Sequence, residues 1–167
     1  MNLRICARAI ACIAAATLAG CAAYSGSGLT PGVTTANDVR ATMGAPRNVY
    51  PDANGGEVWE YTRGPLGYHT FMVRVDGSGQ LHGIEQVLDE EHFARIDVGK
   101  TTQQQVQRLI GTPARTIYFE RRRETVWDYR FRDAWGYSSQ FHVGFDERGV
   151  VRQKIAIREY DRELFSH

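Results

Sequence analysis

The chain has 167 residues, 43% of them hydrophobic and 23% charged, with a formal net charge of +1. That length holds one ordinary domain or two very small ones. Near-balanced charge excludes the excess of positive charge along one face that nonspecific nucleic-acid binding needs, so no nucleic-acid partner is expected.

Residues 1–20 read as a leader. "MNLRICAR" carries Arg4 and Arg8, and Ala9 to Ala19 form an uncharged, mainly apolar run. At a helical rise of ~1.5 Å per residue that run spans ~16 Å, about half of a bilayer core, so it fits a signal-peptide core and not a membrane span. Leu18-Ala19-Gly20-Cys21 resembles the lipobox of bacterial lipoproteins, where cleavage precedes a cysteine that already carries a diacylglyceryl group. The alternative is a free cysteine beside an ordinary cleavage site. The order of leader, small residues and cysteine favours lipid attachment at Cys21. Cys6 and Cys12 leave with the leader, so the mature chain would keep Cys21 alone, with no disulfide. One acyl chain binds reversibly and two or more hold firmly; the three of the lipoprotein modification would make Cys21 a lasting anchor. Ala22, in place of aspartate, resembles the signal for the inner, periplasm-facing leaflet of the outer membrane.

Of the 20 basic residues, loss of Arg4 and Arg8 leaves 18 against 19 acidic ones, and all but Lys100 and Lys154 are arginines. Arginine-rich, balanced surfaces suit hydrogen-bonded protein contacts. Residues 21–31 follow as a lipidated tether, small and rich in Gly and Ser, with a flexible reach of ~17 Å.

A repeat begins at Gly32. "GVTTANDVRATMGAP" (32–46) returns as "GKTTQQQVQRLIGTP" (99–113), Trp59 and Tyr61 return as Trp127 and Tyr129, and Phe71, Val73, Asp76 and Gly79 return as Phe141, Val143, Asp146 and Gly149. The offset grows from 67 to 70 only between segments, as lengthened loops would make it. Two units are therefore expected, over 32–88 and 89–158, with a tail over 159–167. Each opens with a helix. Thr101 is expected to cap the second with Gln104 as its capping-box partner, and Thr34 with Asn37 to do so more weakly in the first. Val106, Leu109 and Ile110 form one apolar stripe, as do Val39 and Met43, and Gly111-x-Pro113 and Gly44-x-Pro46 end the helices.

Sheet follows in each unit. "EVWEYT" (57–62) and "TVWDYRF" (125–131) alternate, with Trp59, Tyr61, Trp127, Tyr129 and Phe131 inward. "TFMVRVDGSGQLHGIEQVL" (70–88) and "QFHVGFDERGVVRQKIAI" (140–157) read as hairpins with turns at Asp76–Gly79 and its counterpart. The expected fold is α+β: two tandem units, each a helix packed on one face of a three-stranded antiparallel meander. "DEEHFARIDVGK" (89–100) adds a short helix before the second unit, with Phe93 and Ile96 inward.

Chemistry leaves few signals. His69, His82, His92, His142 and His167 lack metal-ligand spacing, and no nucleophile elbow, phosphate loop or dinucleotide fingerprint occurs. No catalytic residue, cofactor or metal is expected, and the chain is read as a non-enzyme. His142, between Phe141 and Val143, is expected to face outward. Two stretches carry binding potential. Arg121, Arg122 and Arg123 in "ERRRE" fit either anionic lipid and partner carboxylates or a charge-protected strand edge. Trp135 and Tyr137 in "FRDAWGYSSQF", with Tyr68 in the matching "TRGPLGYHTF", fit either an interface anchor or folded-back core.

A lipobox followed by G-x-T-x-x-x-V-x-x-x-x-G-x-P and a W-x-Y strand resembles the BamE (SmpA/OmlA) family of outer-membrane lipoproteins. The residues are Gly32, Thr34, Val39, Gly44, Pro46, Trp59 and Tyr61, and again Gly99, Thr101, Val106, Gly111, Pro113, Trp127 and Tyr129. The resemblance implies a helix-plus-meander fold and a non-enzymatic scaffold or assembly-factor role in inserting β-barrels, through contact with barrel-assembly components and lipid. The assembly subunit carries one unit. Two in tandem resemble the β-lactamase-inhibitor proteins, which implies the alternative of an inhibitor or binding module for a periplasmic enzyme.

Overall fold

The structure, a computed structural model, describes residues 24–63 and 66–159. The leader, Cys21 and residues 160–167 of the tail lie outside the described residues. The fold is α+β. Helix α1 (Ala36–Met43) precedes strands β1 (Asn48–Pro51), β2 (Glu57–Thr62), β3 (Thr70–Val75) and β4 (Leu81–Gln86). Helices α2 (Glu90–Ala94) and α3 (Gln103–Ile110) then precede β5 (Arg115–Phe119), β6 (Glu124–Arg132), β7 (Ser138–Phe145) and β8 (Val151–Arg158). Two antiparallel sheets result, ordered β1-β2-β3-β4 and β5-β6-β7-β8. Each therefore has four strands where three were expected. The added strands, β1 and β5, run from just beyond Pro46 and Pro113 back along the tryptophan strands, pairing Val49 with Trp59 and Thr116 with Trp127.

The helix starts sit one residue later than the first threonine suggests. Thr35 and Thr102 are the caps, and their hydroxyls accept from the amides of Asp38 and Gln105, whose side chains return the bond. Thr34 and Thr101 instead close the preceding turns, accepting from the amides of Thr30 and Asp97. The two threonines thus divide the work of one helix entry. Thr102→Ala is expected to lower stability by about 1 kcal/mol, read as a shift of the urea midpoint at unchanged slope.

The core lies in two clusters. Val39 and Met43 are buried with Trp59, Tyr61, Val73, Val75 and Leu81; Val106 and Ile110 are buried with Tyr129, Phe131, Phe141, Val143, Phe145 and Val151. In each half the tyrosine of the W-x-Y strand donates its hydroxyl to the carbonyl of the helix-ending glycine, Tyr61 to Gly44 at 3.1 Å and Tyr129 to Gly111 at 3.0 Å. Phe93 and Ile96 join the second cluster as expected, and Phe93 stacks on Phe141 at 3.9 Å. In the first half Tyr24 takes the matching place, with its ring edge-on to Phe71 at 5.6 Å. Burial pushes its hydroxyl pKa up to about 12. Leu29 also packs on the first cluster. Part of the stretch expected as tether is therefore docked.

One carboxylate joins the halves. Glu60 lies on the face of β2 opposite Trp59 and Tyr61 and is fully buried. It accepts from the Asn48 amide at 3.0 Å, the Tyr50 hydroxyl at 2.6 Å and, across the seam, the Thr112 backbone N–H at 2.8 Å. Burial, then the Glu60 carboxylate, raises the Tyr50 hydroxyl pKa. Beside this contact a cleft of about 260 Å³ opens between Met72 and Val87 on one side and His92 and Leu109 on the other. His92 is held there by Asp89 at 2.7 Å and Glu85 at 3.0 Å.

Candidate interaction surface

The loop from β6 to β7 is built around Asp133. One carboxylate oxygen accepts from the amides of Trp135 (3.0 Å) and Tyr137 (2.9 Å), and the other from the Arg158 Nε at 2.6 Å. Gly136, at φ +81°, reverses the chain where a side chain would be strained. This bracing turns both rings outward: Trp135 is 79% exposed and Tyr137 50% exposed, with the Arg158 guanidinium over the tyrosine ring at 4.8 Å. Of the two fates open to these rings, outward display is the observed one.

Burial pushes the Asp133 carboxyl pKa up, but the hydrogen bonds from Arg158, Tyr137 and Trp135 outweigh it and hold it below the usual carboxylate value. Its contribution to loop order is thus present above the unfolded carboxylate pKa and lost as pH falls through the lower folded one. Amide resonances of Trp135 and Tyr137 are expected to hold their positions from neutral pH to about pH 4 and to move toward random-coil values only below it.

Tyr68 behaves differently. Its hydroxyl accepts from Arg130, and both Arg130 and Arg132 lie over its ring at 4.4 Å. It ties the β2–β3 loop of the first half to the second sheet, and it is half-buried. Two residues before it, Leu66 is 78% exposed and stands at the position that Trp135 holds in the second loop. Sequence reading passes over Leu66, because a lone loop leucine gives no signal until the partner loop is seen displaying tryptophan.

Arg121, Arg122 and Arg123 sit at the far end of β6, in the 3-10 turn Glu120–Arg122 that joins β5 to it. Arg123 adopts a left-handed conformation, φ +50°, and pairs with Glu147 at 2.5 Å. Arg122 pairs with buried Glu124 at 3.4 Å and covers the Phe119 ring at 4.5 Å. Two of the three arginines are thus paired with carboxylates of the same sheet region, Arg122 with β6 and Arg123 with the β7–β8 turn. The residues of β6 from Glu124 to Arg132 span ~26 Å, so the arginine turn and the Trp135 loop form separate sites.

The second sheet also presents a face away from its core. Arg115, Asp128 and His142 form a polar row across it, with Arg115 Nη2 to Asp128 at 2.6 Å and His142 Nδ1 to Asp128 at 2.5 Å. His142 faces away from Phe141 and Val143, as its alternation predicts. Ile155 pairs with His142 in the ladder and is 55% exposed. The matching face of the first sheet is where Glu60 meets Thr112. Among the described residues no cluster of His, Cys, Asp and Glu has the arrangement to hold a metal ion, and no helix is long and apolar enough to cross a membrane.

Residues 85–155 match the family described as "Outer membrane protein assembly factor BamE domain". This segment is similar to the BamE family. The matched segment runs from the end of β4 into β8 as far as Ile155, so it contains α2, α3 and most of the second sheet. No curated protein matches the chain. Among solved structures, a DUF4309 family protein (YjgB) from Bacillus subtilis subsp. subtilis str. 168 aligns over 80% of this chain and 84% of its own. At 16% identity and a TM-score of 0.32 that likeness carries no argument.

Proposed function

We propose that the protein is a lipid-anchored, non-enzymatic accessory of outer-membrane protein assembly, acting by contact with barrel-assembly components. The BamE match over residues 85–155 carries this reading. The lipobox at Cys21 supplies the anchor, on the periplasmic face of the outer membrane. The two halves are copies of one helix-and-sheet unit, built from the same capped helix, glycine stop and W-x-Y strand. The partner-facing surface is the open face of the second sheet around Arg115, Asp128, His142 and Ile155. Support comes from within the chain: the matching face of the first sheet already receives protein, the Gly111–Thr112 turn.

Labelling with radioactive palmitate should mark the wild-type chain and not Cys21→Ala, which should also leave the membrane fraction. Equal labelling of the two refutes the anchor. Crosslinking in membranes should recover barrel-assembly components. Recovery of none, with normal barrel-protein levels in a deletion strain, refutes the assembly role. One observation favours a second reading, an inhibitor or binding module for a periplasmic enzyme: Trp135 and Tyr137 stand exposed on a braced loop. Capture of one soluble enzyme by the Trp135 loop would decide for it.

A further inference from the structure

We infer that the loop end of the molecule, carrying Leu66, Trp135 and Tyr137, lies against the lipid surface to which Cys21 is attached. The inference rests on the anchor reading and adds an orientation and a lipid-contacting site to it. Tyr24 fixes the geometry. Its ring packs on Phe71 beside the β2–β3 loop, and Arg63 of that loop lies over it at 4.4 Å. Cys21 is three residues away, at most ~11 Å of extended chain. The acyl groups therefore enter the bilayer next to the β2–β3 loop.

The β6–β7 loop is at the same end, because Tyr68 of the first loop contacts Arg130, Arg132 and Ser138, which flank the second. Both loops display a large apolar side chain at the same position, Leu66 at 78% and Trp135 at 79% exposure, and Tyr137 adds an amphipathic ring. Tryptophan and tyrosine are the residues that settle at the headgroup level, with arginine stems reaching the phosphates. The charges fit. Among the described residues, the acidic groups at this end, Asp133 and Glu159, are each bonded to an arginine, Arg158 and Arg130. Arg63 and Arg132 instead lie over the Tyr24 and Tyr68 rings, and Arg132 also donates to the Gly136 carbonyl; these neutral partners leave their charge for phosphate. The arginine turn at 121–123 is then ~26 Å from the membrane, facing the periplasm.

The test uses the full acylated chain in vesicles of phosphatidylethanolamine with a minority of phosphatidylglycerol. Trp59 is buried and Trp127 partly so, and subtraction of Trp135→Phe isolates the signal of Trp135. Bromine near the glycerol end of the acyl chains should quench Trp135 at least twofold more than bromine near the chain ends. Aqueous iodide should quench it at least twofold less than in the unanchored Cys21→Ser chain. A reporter at the other end, Arg121→Trp in the Trp135→Phe background, should stay open to iodide and unquenched by lipid bromine. Mass spectrometry of the same sample separates the two readings. Acylated Cys21 with Trp135 still open to iodide overturns the orientation alone, and Cys21 without acyl groups overturns both.

Discussion

Glu60→Ala is expected to destabilise the protein by about 3 kcal/mol and to loosen the contact between its halves. The carboxylate is fully buried and accepts three hydrogen bonds, from Asn48, Tyr50 and the Thr112 amide. Alanine leaves the Tyr50 hydroxyl and the Thr112 N–H without an acceptor, each a penalty of roughly 1–3 kcal/mol. Glu60→Gln keeps one acceptor oxygen and should lose about half as much. Hydrogen exchange separates this from a general loss of stability. The Thr112 amide should lose more protection than amides of β7, whose ladder partners remain. A loss below ~1 kcal/mol with Thr112 still protected would show that the seam does not depend on Glu60.

The second large effect comes from two glycines with the same backbone and different neighbours. Gly44 and Gly111 both end a helix at φ +84°, with ψ of −165° and −169°, a region essentially reserved for glycine. A Cβ at Gly44 would meet open space, so Gly44→Ala should cost only the backbone strain, about 1–2 kcal/mol. A Cβ at Gly111 would come within 2.7 Å of the Thr70 methyl and 3.3 Å of the Glu60 carboxyl carbon. Gly111→Ala should therefore cost about 3–5 kcal/mol, the strain plus forced separation of the halves. Urea unfolding of the two variants measures the difference. Equal losses would mean that the seam at Gly111 is loose.

These residues also mark how far the sequence is legible. The helix stops, the W-x-Y strands and the hairpin turns announce themselves, because each is set by local chemistry. Asp76 bonds the amides of Ser78 and Gln80, and Asp146 those of Arg148 and Val150, as their spacing suggests. The strands β1 and β5 do not announce themselves. "NVYP" is short, ends in proline and follows a helix stop within a few residues, so it reads as loop. "RTIYF" does carry β-branched and aromatic residues, and that run is the signal that would have found it. The cap position is ambiguous because two adjacent threonines both suit it.

The site is less legible than the fold, for a different reason. Glu60 alternates with Trp59 and Tyr61 and so reads as solvent-facing; only the other half of the chain, 52 residues on, buries it. Asp128, at the matching place, is buried as well, but beneath Arg115 and His142 of its own sheet and not beneath the other half. Tyr68 and Tyr137 are the same motif residue, but one is used between the halves and the other is displayed. Such differences arise from which neighbour reaches each copy, and a repeat read along the chain contains no record of that. Arg121 to Arg123 look like the strongest binding signal in the sequence, whereas Arg122 is paired with Glu124 at the start of β6 and Arg123 with Glu147 of the β7–β8 turn.

The most direct test of the proposed assembly role is a photo-crosslinking amino acid placed at Ile155 in living cells, with Val33, 73% exposed on the first half, as the control. Barrel-assembly components joined at Ile155 and not at Val33 are the expected result. Adducts to no envelope protein, or the same adducts from both positions, would contradict it.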